Sequence, residues 1–191
     1  AWNNLGTAYA ALQNYEKAKE VFEKIIQENP RHESAYFNLA CTYSLEKNKE
    51  KVLLYLQKAI ELNPNYDLAY YGRGMAYFNS NKYDEALTDF NKSIEIDPNN
   101  AGSYAGIGSI KNIKLDYNNA LLDFDTAIKY DSTFAEAYFG KGIALRELNS
   151  FGDAITALSM AIRYDTLSQK SYFARAWLRD QNEDYIGAVW D

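Results

Sequence analysis

A chain of 191 residues with 47% hydrophobic side chains holds enough apolar material for a core, which excludes wholesale disorder. Its net charge of -6 repels phosphate backbones and anionic headgroups, so no nucleic acid is expected as the main partner. No apolar run is long enough to span a bilayer, no signal peptide follows Ala1, and a single cysteine, Cys41, excludes an internal disulfide.

Three prolines in the whole chain and no long polar stretch predict a mostly helical protein. In chain order, the first unit opens at Trp2, with Leu5, Gly6 and Tyr9 following at helical spacing and Ala18, Phe22 and Pro30 beyond. Stepping forward 34 residues at a time reproduces these columns without an insertion. Trp2 is succeeded by Tyr36, Tyr70, Tyr104, Tyr138 and Tyr172, and Gly6 by Ala40, Gly74, Gly108, Gly142 and Ala176. Ala18 leads to Val52, Ala86, Ala120, Ala154 and Ala188, while Phe22 leads to Leu56, Phe90, Phe124 and Leu158. Pro30, Pro64 and Pro98 close the first three units, and Ser132 and Thr166 take that place later. The predicted units are 1–32, 33–66, 67–100, 101–134, 135–168 and a partial unit 169–191.

Each unit carries two helical patterns joined by a short polar link. In the third, Tyr70, Gly74 and Tyr77 share one helix face, and Tyr83, Ala86, Leu87, Phe90 and Ile94 mark the second helix. Glycine inside a helix costs about 1 kcal/mol relative to alanine, so the small column implies close helix packing that offsets it. Asn63-Pro64 and Asp97-Pro98 end second helices, because the residue before proline disfavours helical geometry.

At these columns the chain resembles the tetratricopeptide repeat, whose pattern runs aromatic, Leu-Gly, Tyr, Ala, Phe, Pro over 34 residues; Trp2, Leu5, Gly6, Tyr9, Ala18, Phe22 and Pro30 match it in the first unit. The wording of later units, such as Asp184-Tyr185-Ile186-Gly187-Ala188, is similar to bacterial arrays. The resemblance implies an all-α fold: one array over 1–191, a right-handed superhelix (α-solenoid) of stacked antiparallel helix pairs. It implies a scaffold for protein–protein interaction, not an enzyme, with a protein or peptide partner in a concave groove lined by the first helix of each unit.

On that resemblance the groove residues are Phe37, Asn38, Cys41, Tyr71, Met75, Phe78, Ala105, Ser109, Phe139, Ile143, Phe173 and Trp177. Large apolar residues flank the small stretch Gly102, Ala105, Gly106 and Ser109, which could admit a bulky apolar side chain worth about 1.5–3 kcal/mol on burial. The alternative is that the aromatics pack between neighbouring helices. The cationic pattern with which family members clamp acidic chaperone tails is absent: Phe37, Cys41, Leu68, Gly72 and Gly106 stand in its places. An asparagine column that in other members grips a peptide backbone starts at Asn4 and Asn38 but continues as Gly72, Gly106, Gly140 and Ala174.

Little else in the chain suggests chemistry. His32 is the only histidine, so no cofactor or transition metal is expected, and Cys41 reads as a packing residue. Asp123 and Asp125, two apart on a helix, point to different faces. The stretch Gly102 to Gly108 lacks the Lys-Ser/Thr of a phosphate loop. Arg73, Lys141 and Arg175 replace the family's usual Leu; they could meet an acidic ligand or lay their stems over apolar surface. Both ends of the array look unfinished, so a longer parent protein is expected, with Val189 and Trp190 forming an apolar end that packs against something. Self-association through these ends, or service as the recruiting arm of a larger enzyme or secretion assembly, are the competing roles.

Overall fold

The computed structural model describes residues 2–181. Among them are eleven α-helices: α1 Trp2–Ala11, α2 Tyr15–Glu28, α3 Glu33–Leu45, α4 Lys49–Leu62, α5 Asp67–Phe78, α6 Tyr83–Ile96, α7 Ala101–Ile113, α8 Tyr117–Tyr130, α9 Ala135–Glu147, α10 Phe151–Tyr164 and α11 Gln169–Gln181. Val189 and Trp190 lie outside the described residues. The odd-numbered helices are the first members of their hairpins (A helices) and the even-numbered ones the second (B helices). The chain divides into two compact units, one ending at Pro98 and the other starting at Asn99. In the first, α1–α2, α3–α4 and α5–α6 pair, with α2 packed on α3 and α4 on α5; in the second, α7–α8 and α9–α10 pair, with α8 on α9 and α10 on α11.

Two local devices recur at every hairpin. Where an A helix ends, Gln13, Lys47, Asn81, Leu115 and Asn149 each adopt a left-handed φ of 58–63°. In the second hairpin the N–H of Lys47 then donates to the Ser44 carbonyl and that of Asn48 to the Tyr43 carbonyl, which closes the helix end. The next residue starts the B helix, and Asn14 and Asn48 cap it by accepting from the N–H of Lys17 and Lys51. Where a B helix ends, Asn29, Asn63, Asp97, Asp131 and Asp165 are extended. Four of them, Asn29, Asn63, Asp131 and Asp165, accept with a side-chain oxygen from the N–H two residues on, turning the chain into the next hairpin.

The small and large columns meet inside each hairpin. A Cβ added to Gly6 would lie 2.5 Å from the Phe22 ring, one on Gly74 2.7 Å from Phe90, and one on Gly142 2.7 Å from Leu158. Glycine there is a packing requirement. Phe22, Phe90, Phe124, Leu39 and Leu158 are among the largest fully buried side chains. The same requirement holds in the asparagine column at Gly140, where a Cβ would fall 2.3 Å from Phe124 of the preceding hairpin; at Gly72 it would make a tight contact of 3.2 Å with Leu56.

Candidate functional site

Neighbouring A helices touch in both units (α1 with α3, α7 with α9, α9 with α11), while neighbouring B helices make no comparable contact. The sequence-predicted residues all lie on A helices: α3, α5, α7, α9 and α11.

In the first unit, Phe37 packs its ring 5.3 Å from that of Tyr66 and lies against the core. Asn38 donates from Nδ2 to the side-chain oxygen of Asn3 at 2.9 Å, joining α3 to α1. The partner is Asn3, not the Asn4 that shares its column. One turn beyond Phe37, Cys41 is exposed by area but crowded, and this desolvation pushes its thiol up to about 11. Tyr71 lies 6.1 Å from the Phe90 ring, Phe78 lies 5.9 Å from Tyr83 across the hairpin turn, and Met75 is half-buried.

In the second unit, Ala105 is only 5% exposed and packs with Phe124 and Ala137, while Ser109 returns its hydroxyl to the Ala105 carbonyl at 2.8 Å. Phe139 and Ile143 pack against Leu158, Ala174 and Leu178, and the Lys170 ammonium sits 4.6 Å above the Phe139 ring. Phe173 and Trp177 are 77% and 44% exposed, and the Arg146 guanidinium lies 5.7 Å from the Trp177 ring.

The three cations that replace leucine have internal partners. Arg73 donates to both carboxylate oxygens of Asp89 at 2.7 Å and also to Gln57 of the preceding hairpin, and Asp89 holds its guanidinium above the usual range. Lys141 donates to Asp125 at 2.6 Å, and Arg175 to Ser159 at 2.9 Å. Gln57, Asp125 and Ser159 each stand 16 residues before their partner, on the preceding hairpin. Asp123 pairs with Lys111 at 2.6 Å, so it and Asp125 serve different helices, as their spacing implies. Burial nevertheless pushes the Asp123 carboxyl upward, against the pull of Lys111. Lys19, between Glu16 and Glu46 at 2.8 and 2.7 Å, is held well above the ordinary lysine range by its hydrogen bonds to both.

Among the described residues no group of three or more His, Cys, Asp or Glu side chains could hold a metal, and no helix is long and apolar enough to cross a membrane.

Family models for the tetratricopeptide repeat match residues 1–32, 34–66, 68–100 and 115–172. The chain belongs to the tetratricopeptide repeat family. No curated protein sequence matches it. Among solved structures, the anaphase-promoting-complex hetero-tetramer Cut9–Hcn1 superposes with a TM-score of 0.89 at 19% identity, over 95% of this chain and 36% of that one. This chain thus spans about a third of that relative. YrrB, a repeat protein with an unusual peptide-binding site, matches with a TM-score of 0.64 at 24% identity, over 90% of this chain and 88% of its own. TTC0263, a thermophilic repeat protein from Thermus thermophilus, matches with a TM-score of 0.75 at 19% identity, over 93% and 98%. These likenesses fix the fold as an all-α tetratricopeptide-repeat solenoid, a class that generally mediates protein–protein interaction.

Proposed function

We propose that the chain is a non-catalytic scaffold that holds a segment of another polypeptide against the outward columns of its A helices. One observation carries the reading: aromatic and aliphatic side chains stay accessible on those columns after the hairpins have stacked, with Phe173 and Trp177 on α11 and half-buried Phe37, Tyr71 and Met75 on α3 and α5. Accessible aromatics of this kind anchor protein interfaces. The peptide-binding site of YrrB, a protein of similar fold, supports it. The test is capture of partners from lysate by the parent chain beside a Tyr71→Ala, Phe173→Ala variant of unchanged helix content and melting temperature. A partner lost with the folded variant supports the reading; a partner retained equally by both refutes it.

A further inference from the structure

We infer that the A-helix face of the first unit selects an apolar stretch of polypeptide and turns acidic tails away. This deepens the groove-binding role proposed above and rests on it. The distribution of charge between the two helix layers carries the inference. The only charged residues of α1, α3 and α5 are Glu33, Asp67 and Arg73. Glu33 and Asp67 are the first residues of their helices, where the aligned peptide dipoles and unbonded N–H groups favour a carboxylate. Arg73 is engaged by Asp89 of α6 and Gln57 of α4. Glu33 and Asp67 lie one turn before Phe37 and Tyr71 on the same helix face, so the charges that border the outward columns are carboxylates. In the other layer, half of the 14 residues of α2 are charged.

The A helices present apolar and neutral polar groups in place of charge: Phe37, Tyr71, Met75 and Phe78 beside Asn3 and Thr7. An acidic side chain set against such a face gives up hydration and meets only carboxylates at its border, whereas an apolar side chain gains by its burial. The net charge of -6 adds long-range repulsion against acidic tails. The thiol of Cys41 reports the same surroundings, since it is accessible yet its ionisation is suppressed by desolvation.

The whole chain is challenged with a displayed library of random peptides of about nine residues, roughly 30 Å when extended. The strongest binders are then measured at low and high salt, and Cys41, the only cysteine, is alkylated with and without each peptide. The expected result is enrichment of Leu, Ile, Val and Phe, depletion of Asp and Glu, and, for peptides without charge, an affinity that changes by less than about twofold with salt. Bound peptide should also slow Cys41 alkylation. Acidic peptides that protect Cys41 and lose about tenfold in affinity with salt would overturn the inference while leaving groove binding intact. Peptides that bind without protecting Cys41 would place the site elsewhere and overturn it too. No binding peptide at all would remove the groove-binding reading along with it.

Discussion

Gly140→Ala tests whether glycine is imposed on the A helices by the preceding hairpin. Gly140 is buried within α9, and its missing Cβ would sit 2.3 Å from Cζ and 2.4 Å from Cε1 of Phe124. Carbon atoms in contact prefer about 3.5–4 Å, so the ring would have to retreat by more than 1 Å, roughly. It has no room: Phe124 is fully buried, and Gly108 lies so close on its own hairpin that a Cβ there would be 3.0 Å from the same ring. Overpacking at the upper end of its range costs about 3 kcal/mol, and the better helix propensity of alanine returns about 1 kcal/mol. The net expectation is a loss of about 2 kcal/mol, or a melting point lower by roughly 4–8 °C for a chain of this size. Gly152→Ala is the control, because nothing lies within 4 Å of its Cβ position on α10; it should stabilise by about 0.5–1 kcal/mol. Adding Phe124→Leu to Gly140→Ala should recover about 1–2 kcal/mol of coupling, since Leu56 and Leu158 already fill that column elsewhere. Denaturant titration followed by far-UV circular dichroism reads these variants beside the parent and Phe124→Leu alone, which closes the cycle. If Gly140→Ala stabilises as Gly152→Ala does, steric exclusion by Phe124 is refuted.

Three further outcomes follow from the geometry. Asp89→Ala should destabilise by about 3 kcal/mol in denaturant titration, because Arg73 is left with an unmatched charge at side-chain exposures of 16% and 4% for the pair; Arg73→Leu in the same chain should recover most of the loss, and an unchanged midpoint for Asp89→Ala would refute the pairing. Leu115→Asn should raise stability by about 0.5–1 kcal/mol, since Leu115 is exposed at φ 63° where Asn81 and Asn149 stand in other hairpins; a lower melting temperature would show that its side chain packs after all. Alkylation of Cys41 by iodoacetamide should rise about tenfold per pH unit from pH 7.5 to 9.5 without levelling, because only the thiolate reacts and its pKa is near 11; a plateau close to pH 9 would contradict the desolvated setting.

Helical registry in the sequence assigns each candidate site residue to a helix and a face. Burial along each column was not legible there. Ala105 and Phe173 share a column, yet one is 5% and the other 77% exposed. Ala105 is small and close to Phe124, while the ring of Phe173 extends beyond the packed layer.

The sequence by itself determined the period, the helix pairs, their ends at Asn or Asp before the next hairpin, and the meeting of small and large columns. These follow from local backbone preferences and from volume repeating at fixed spacing, both one-dimensional signals. Only the tertiary structure decided that Arg73, Lys141 and Arg175 reach side chains 16 residues back, that Asn38 bonds Asn3, and that Phe124 keeps Gly140 bare. Each of these is a meeting between hairpins, set by how one helix pair seats on the last, and the spacing within a single hairpin holds no record of that contact.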